Sequence, residues 1–408
     1  MKYLFNIDKR MISGLVVFAF LLSGCRPVSD PGLIDLDYSD LVKIRKDINA
    51  KNSGVTPAYE KLISQANVYL ELLPEKVVDG DIPPTGDPHD FYAIGKYSWP
   101  NPDTPDGMPW IRIDCNINPE SNGPRFDLAR YNQTMDRIKT LSLAWFYSQD
   151  EKYARKASEL LRVWFLDEET KMNPNFECGS ALPGVYNGMY IGIIFGVTLI
   201  ELVDHVQLLN LSDSWTEQDD MGLKNWFSGY VKWLLESDFG IKEGKAKNNH
   251  GSWYAAQVAA YSLYTGEMHH VNSMIELAKK QIDQQVDEDG SLPHELKRDW
   301  AYSYSVYGMR AFTTLACCAD RIGVDLWNYR TSDGRGLQQA YSFLQPYLLD
   351  EKKWAWGVDR EGEKTNIAAL PIMRWAAKKY NDAGFHKVVE YLESIAPEDA
   401  PKVWLTGK

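Results

Sequence analysis

The chain has 408 residues, with 44 lysines and arginines against 56 aspartates and glutamates, so its formal net charge is −12 at pH 7. An acidic chain is poorly suited to bind nucleic acids, and it offers no long-range attraction for an anionic polysaccharide. A site for a polyanion would have to concentrate arginine, lysine and neutral donors locally.

The N-terminus has the pattern of an export signal. Lys2, Lys9 and Arg10 form a positive region, a mostly apolar run covers 11–22, and Leu-Ser-Gly precedes Cys25. The run is too short for a transmembrane helix, which needs about 20 apolar residues. The pattern resembles a bacterial lipoprotein signal, in which Cys25 becomes the lipidated N-terminus. The alternative is an ordinary signal peptide with Cys25 as an incidental thiol.

The predicted organisation is a lipoprotein signal peptide at 1–24, a tether at 25–39 and a single domain at 40–408. We expect an exported protein anchored in the outer membrane, on its periplasmic or cell-surface face. Membrane contact is then made only through the lipid on Cys25, and we expect a monomer.

Four cysteines follow Cys25, namely Cys115, Cys178, Cys317 and Cys318. Four in a chain of this length do not make a disulfide framework. Cys317 and Cys318 are predicted to be buried helix residues, and one bridge from Cys115 to Cys178 is left open.

Helical spacing begins at 40–73, and the character of the chain then changes at 78–124, where prolines, glycines, aspartates and aromatic residues dominate. So many prolines exclude a regular helix. A long ordered loop rich in tryptophan and tyrosine is typical of the lining of a site.

After the loop, apolar residues recur at helical spacing. Long helices in succession, with no break in composition, favour antiparallel hairpins arranged in one ring. We therefore predict an all-α fold, an (α/α) toroid with a long proline- and aromatic-rich loop. The predicted helices cover 128–148, 151–165, 187–209, 216–237, 251–265, 268–287, 302–322, 335–348, 367–380 and 382–395.

His250 lies at the start of a predicted helix, after Asn248 and Asn249 and before Gly251. An asparagine is expected at an N-cap, but histidine and glycine are not strong helix formers. The start of a helix also offers free N–H groups to an anionic ligand. His250 is therefore predicted to be functional, and the alternative is a capping or packing role.

Arg298 precedes another predicted helix, which contains Tyr302, Tyr304 and Tyr307. An arginine in that position can hold a carboxylate bidentately, and the alternative is a solvated charge beside neighbouring acids. Tyr304 and Tyr307 share a helical face, whereas Tyr302 points elsewhere. A stripe of tyrosines is more often core, so spacing alone singles out none of them.

Together these groups suit the removal of a proton from a carbon next to a carboxylate. That reaction needs donors that neutralise the carboxylate, a base for the proton and an acid for the leaving oxygen. Arginine and asparagine serve the first purpose, and histidine and tyrosine serve the others.

Several motifs resemble those of the alginate lyase superfamily, most closely polysaccharide lyase family 38 and more distantly family 5. The likeness extends from about residue 86 to residue 374. It rests on Asn-Asn-His-Gly-Ser-Trp-Tyr at 248–254, His-Asp-Phe-Tyr at 89–92, Tyr-Ser-Trp-Pro-Asn-Pro-Asp at 97–103, Gly-Met-Pro-Trp-Ile-Arg at 107–112 and Glu-Leu-Lys-Arg at 295–298 before Tyr304.

The resemblance implies an α/α toroid that cleaves 1,4-linked uronic-acid polymers by β-elimination, with no required metal or cofactor. The product would carry a 4,5-unsaturated uronate at its new non-reducing end. Mannuronate-rich alginate is the first expectation for the substrate, and glucuronan is the second.

The resemblance also implies roles for particular residues. Tyr304 would be the catalytic acid, and also the base where the C5 proton and O4 leave from the same side of the sugar. His250 would be the base in the opposite geometry, or would hold the carboxylate. Asn249 and Arg298 would neutralise that carboxylate, and Glu243 matches an acid near the site.

Further residues are expected to contact the substrate. The alternative for those in the loop is simple packing, and Tyr302 is the rival of Tyr304. The expected binding residues are His89, Tyr97, Trp99 and Arg112 in the loop, together with Tyr190, Trp253, His294 and Arg374.

Two other functions fit the same pattern. A glycoside hydrolase would use two carboxylates, for which Glu243, Glu295 and Asp299 are candidates. A glycan-capturing lipoprotein without catalysis would need aromatic residues but no convergence of histidine, arginine and tyrosine. A lyase is distinguished by the ultraviolet absorbance of the C4–C5 double bond that it creates.

Overall fold

The computed structural model describes residues 30–357 and 366–407. The predicted signal peptide and the predicted lipidation site at Cys25 lie outside these residues. Within them the fold is an all-α toroid, as predicted, in which helical hairpins pack side by side around a shared core. The buried core includes residues from Leu33 to Leu405.

The helices in the described part of the chain agree closely with the predicted ones. They are α1 Tyr38–Asn49, α2 Thr56–Leu70, α3 Leu128–Ser148, α4 Glu151–Phe165, α5 Thr198–Leu209, α6 Glu217–Glu236, α7 Asp238–Glu243, α8 Asn249–Thr265, α9 Met268–Gln285, α10 Pro293–Leu296, α11 Ala301–Arg321, α12 Leu337–Leu348, α13 Leu370–Tyr380, α14 Ala383–Ile395 and α15 Pro401–Trp404.

Local signals end and start these helices. Gln149 ends α3 in the left-handed conformation with φ of 59°, and Asp150 caps α4 by accepting a hydrogen bond from the backbone N–H of Lys152. Gly266 ends α8 in the same way, with φ of 84°. Because such ends reverse the chain within two residues, α3 packs against α4 and α8 packs against α9.

Four short strands were not predicted. β1 (Tyr92–Ile94) pairs in parallel with β4 (Cys178–Ala181), and β2 (Ser98–Trp99) pairs antiparallel with β3 (Ile111–Arg112). Strands of two to four residues are too short to show alternation in the sequence. β1 and β4 fasten the proline-rich loop to the segment before α5, whereas β2 and β3 pair within the loop itself.

The stretch expected to be a tether is corrected for its described part. Leu33, Ile34 and Leu36 are buried in the core. The fully buried carboxylate of Asp204 on α5 accepts hydrogen bonds from the backbone N–H groups of Ile34, Asp35 and Leu36 at 2.7, 2.8 and 2.7 Å. Residues 33–36 therefore belong to the folded domain.

The four cysteines of the described chain are all free, so the bridge left open between Cys115 and Cys178 is not formed. Cys317 and Cys318 are buried within α11, as predicted. The stretch Tyr190–Leu209 is long and apolar enough to cross a membrane by composition alone. Here it is a 3₁₀ segment followed by α5, and it packs against α3 and α8 as part of the core.

We expect Asp204→Asn to destabilise the fold. An asparagine offers only one acceptor oxygen, and its NH₂ group would face one of the three buried backbone N–H groups. Leaving a buried donor unpaired lowers the free energy of unfolding by about 2 kcal/mol, which urea denaturation would measure. The exposed Asp213 provides the control, because Asp213→Asn should change the free energy of unfolding by less than about 0.5 kcal/mol. Equal effects of the two substitutions would contradict the anchoring role of Asp204.

Candidate active site

A cleft lies where the proline-rich loop meets the starts of α8 and α11. It contains a cavity of about 460 Å³. Four of the five residues predicted to be catalytic line this cavity, namely Asn249, His250, Arg298 and Tyr304. The fifth, Glu243, is fully buried and contacts His250 from behind. The structure thus brings together groups that are far apart in the sequence.

His250 is held by two contacts at the start of α8. The side chain of Asn248 caps the helix by accepting a hydrogen bond from the backbone N–H of His250 at 3.2 Å. Nδ1 of His250 lies 2.6 Å from Oε1 of Glu243, the last residue of α7. Because Nδ1 is engaged by Glu243, Nε2 is the ring nitrogen left to meet a ligand in the cavity.

Asn249 is held by one acid at two points. Its backbone N–H and its Nδ2 each donate a hydrogen bond to a different oxygen of Glu295, both at 2.7 Å. The two residues are 1% and 2% exposed, and burial raises the pKa of Glu295. The amide is therefore fixed where it can offer a neutral donor to the cavity.

Arg298 lies directly over the candidate catalytic tyrosine. Its Cζ is 4.0 Å from the centroid of the Tyr304 ring, and its Nη2 is 3.3 Å from each carboxylate oxygen of Asp114. Partial burial raises the pKa of Asp114, but Arg298 and Arg112 outweigh it and hold that pKa below its usual range. The guanidinium is thus held between the ring of Tyr304 and the carboxylate of Asp114.

Tyr97 connects the loop to the same tyrosine. Its hydroxyl is 3.0 Å from the hydroxyl of Tyr304. Burial, together with this hydrogen bond, raises the pKa of Tyr97 well above its ordinary value. Tyr97 therefore keeps its proton at neutral pH and can donate it in a hydrogen bond to the oxygen of Tyr304.

A second cavity of about 360 Å³ opens beside the first and shares Arg112, His250 and Arg298 with it. Tyr190 and His294 line it, as expected for substrate-binding residues. Burial lowers the pKa of His294, and two nearby lysines lower it further. The basic groups that a polyanion site requires are concentrated here, although the chain as a whole is acidic.

Comparison with known proteins agrees with this site. The sequence model of a family described as Alginate lyase matches residues 79–354, which is more than half of the chain and includes every residue predicted to be catalytic. The chain belongs to the alginate lyase family.

Individual relatives carry the same name. An alginate lyase from Pseudomonas syringae pv. syringae is 32% identical over 163 residues, which are 39% of this chain and 41% of that protein. The match thus spans about two fifths of the length of this curated relative. The crystal structure of an alginate lyase from Bacteroides ovatus is 32% identical with a TM-score of 0.86, and the likeness covers 92% of this chain and 99% of that one.

A more distant structure shares the fold alone. Alginate lyase A1-III, a protein of Sphingomonas species A1, has been solved in complex with a tetrasaccharide after one histidine was replaced by alanine. It is 14% identical with a TM-score of 0.60, and the likeness covers 93% of this chain and 97% of that one.

In this member of the alginate lyase family, two loop residues expected to contact substrate lie outside the walls of both cavities. Nδ1 of His89 is 2.6 Å from the backbone carbonyl of Lys171. The indole N–H of Trp99 donates to the carbonyl of Asn116 at 2.9 Å. Both side chains therefore stabilise the loop, which was the alternative considered for them, and only Tyr97 and Arg112 of the predicted loop residues reach the cavities.

Two helical residues expected to bind substrate are also corrected. Trp253 is 2% exposed, and its ring packs 5.0 Å from that of Tyr307 behind the cavity wall. Arg374 donates from Nε and Nη2 to Oε1 of Glu393 at 3.0 and 2.7 Å, and from Nη1 to the carbonyl of Val403 at 2.7 Å. Both are structural because their helices turn them towards other elements.

The structure separates the two candidate tyrosines. Tyr302 is buried, donates a hydrogen bond to Oδ1 of Asn366 and packs 4.9 Å from the ring of Trp354. It lines neither cavity, whereas Tyr304 lines the larger one together with Tyr307. Tyr302 is therefore no longer a rival for the catalytic position.

Some residues of the site were missed by sequence reasoning. Lys96, Trp300 and Ser303 line the larger cavity, and Asp114 reaches Arg298. Each lies within four residues of a residue that was predicted for the site. Proximity in the sequence was the available signal, but it does not show which neighbours face the cavity.

The reassignment of Arg374 leads to a stability prediction. Arg374→Met keeps the apolar length of the side chain but removes its three hydrogen bonds, so the free energy of unfolding should fall by about 2 kcal/mol. Arg155 is exposed on α4, and Arg155→Met should change this free energy by less than about 0.5 kcal/mol. Urea denaturation compares the two variants. An unchanged stability of Arg374→Met would restore Arg374 as a candidate for binding.

Proposed function

We propose that this protein is a polysaccharide lyase of family 38 that cleaves mannuronate-rich alginate by β-elimination. The reaction leaves a 4,5-unsaturated uronate at the new non-reducing end. The observation that carries the proposal is the presence of Asn249, His250, Arg298 and Tyr304 in the wall of one cavity. Membership of the alginate lyase family and the name of the Bacteroides ovatus relative support it.

The first requirement of the reaction is to neutralise the C6 carboxylate. The C5 proton is only weakly acidic while that carboxylate keeps its full charge, and the charge increases as the proton leaves. Arg298 supplies a cation, Asn249 supplies an amide N–H, and Nε2 of His250 supplies a further donor when it carries a proton. All three are fixed before substrate arrives, so little reorganisation accompanies the reaction.

The second requirement is proton transfer. Tyr304 delivers a proton to O4 as the glycosidic bond breaks, and it also removes the C5 proton where both leave from one side of the sugar. Arg298 above the ring and the hydroxyl of Tyr97 stabilise the phenolate formed in that cycle. Where the two groups leave from opposite sides, Nε2 of His250 is the base and Tyr304 is the acid.

The alternatives receive less support from the geometry. A glycoside hydrolase needs two carboxyl groups beside the sugar, but Glu243 and Glu295 lie behind the cavity wall and contact His250 and Asn249. A protein that only captures glycans does not need a tyrosine beneath an arginine. Glucuronan lyase activity uses the same groups and is decided by the choice of substrate.

We further propose that the protein acts as a monomer anchored by a lipid on Cys25 in the outer membrane. The export pattern ending in Leu-Ser-Gly-Cys supports this location. The large number of acidic residues supports the absence of a nucleic-acid partner.

A panel of polymers tests the proposed function. We expect ultraviolet absorbance from the new double bond with poly-mannuronate, and less with poly-guluronate, glucuronan and a glycosaminoglycan. Guluronate is the C5 epimer of mannuronate, so its C5–H lies on the other side of the sugar relative to O4 and away from the base. Glucuronate differs from mannuronate only at C2, so contacts around that hydroxyl separate these two polymers. Absorbance strongest with glucuronan would establish the second substrate, and new reducing ends without absorbance would establish a hydrolase.

The two tyrosines provide a matched pair of variants. Tyr304→Phe should lower kcat on poly-mannuronate by at least about 10³-fold, because it removes the acid and one candidate base. Tyr302→Phe removes a hydroxyl of the same kind two residues away, outside the cavity, and should leave kcat within about threefold of the wild type once folding is confirmed by circular dichroism. Equal losses in the two variants would contradict the role of Tyr304.

A further inference from the structure

Glu295 is an acid that the proposed reaction does not use, although it lies directly behind the binding site for a polyanion. It is 2% exposed and belongs to α10, in the turn before α11. A buried negative charge close to an anionic substrate is unfavourable unless hydrogen bonds compensate for it. The contacts of Glu295 show which groups supply these bonds.

The carboxylate of Glu295 holds both parts of one residue. Oε1 accepts a hydrogen bond from the backbone N–H of Asn249, the first residue of α8, and Oε2 accepts one from Nδ2 of the same residue. Capping a helix would explain the first bond. The second bond adds nothing to the cap and acts only on the orientation of the side-chain amide.

A carboxylate oxygen accepts hydrogen bonds but cannot donate them, so the amide of Asn249 must turn its NH₂ group towards Glu295. One N–H is used in that bond, and the other remains for a ligand. The oxygen Oδ1 of Asn249 has no hydrogen-bond partner among the residues that the structure describes. Glu295 thereby prevents the oxygen of the amide from being presented where a donor is needed.

Glu295 also connects this amide to the other candidate carboxylate-binding residue. Its backbone carbonyl accepts a hydrogen bond from the backbone N–H of Arg298 at 3.0 Å. Gly308 lets α11 pack closely behind this turn, since a Cβ there would lie only 3.1 Å from Cδ1 of Leu292. The turn therefore sets Asn249 and Arg298 in a fixed relation.

We propose that Glu295 is a positioning residue for β-elimination, which fixes the amide of Asn249 so that an N–H faces the uronate carboxylate. This inference rests on the proposed lyase function. The side chain of Glu295 does not touch the substrate and acts through its hydrogen bonds to Asn249. The negative charge on the uronate carboxylate increases as the C5 proton leaves, so the N–H that Glu295 positions contributes more in the transition state than in the bound substrate. Loss of Glu295 should therefore lower kcat more than it raises KM.

The test is a double-mutant cycle with Glu295→Gln and Asn249→Ala on poly-mannuronate. The NH₂ group of a glutamine at this position would face the NH₂ group of Asn249, so the amide turns over and presents its oxygen to the substrate. We expect Glu295→Gln to lower kcat about 100-fold with KM within about threefold, as for the loss of one donor to a developing negative charge. The double variant should match Asn249→Ala within about twofold.

Asp204→Asn is the matched control, since Asp204 is also a buried acid that accepts backbone N–H groups but does not line the cavities. It should lower the melting temperature without the loss of kcat. If the double variant instead loses kcat by the product of the two single losses, the proposal is overturned, because Glu295 would then not act through Asn249.

A crystal structure of the Glu295→Gln variant separates this inference from the proposed function. A reoriented Asn249 amide, whose oxygen accepts a hydrogen bond from the glutamine, supports positioning by Glu295 even if no polymer gives an unsaturated product. An Asn249 side chain that keeps its Nδ2 in the wild-type position overturns it, whatever the activity of the enzyme.

Discussion

The site depends on buried carboxylates that hold the groups facing the substrate. Glu243 fixes the ring of His250, and Glu295 fixes the amide of Asn249. Side chains held in this way lose little further conformational freedom when a ligand binds, so the site is preorganised to bind a negative charge. The arrangement requires negative groups near a site for a polyanion. That cost is limited because both acids lie behind the donors and not in the cavity wall.

The toroid brings the side chains of this site together from three separate parts of the chain. The start of α8 contributes His250, the turn before α11 contributes Arg298, and the loop in which β2 pairs with β3 contributes Tyr97 and Arg112. α8 and α11 pack against each other in the core. Because both helices are rigid and the loop is paired as a short sheet, the relative positions of these groups follow from packing and do not depend on a single flexible segment.

Much of the fold could be predicted from the sequence because helix ends are encoded locally. The limits of α3 and α4 follow from apolar spacing and from residues such as Asp150 that end or begin a helix. The short strands could not be predicted, because two to four residues are too few to show alternation and the partner of β1 lies far along the chain. Residues 33–36 were misassigned because the acid that anchors them, Asp204, lies about 170 residues away.

The site was predictable where a motif combined unusual residue types, as around His250, and where the family resemblance singled out Tyr304 from its neighbours. It was not predictable where the direction of a side chain decided the role. Trp253 lies three residues after His250 but points into the core. Arg374 could equally have faced a cleft or another helix, and only the fold shows that it binds Glu393.

The contact between Arg298 and Asp114 has a consequence for the catalytic cycle. The guanidinium of Arg298 is already paired with Asp114, so when it binds the carboxylate of a sugar it exchanges one anionic partner for another and gains only the difference between the two interactions. When a product of the proposed reaction leaves, Arg298 can pair with Asp114 again, which favours release. Asp114 is 43% exposed at its side chain, and water can therefore solvate it while it is displaced. In the proposed reaction, such a site favours release of the product over tight binding of the substrate.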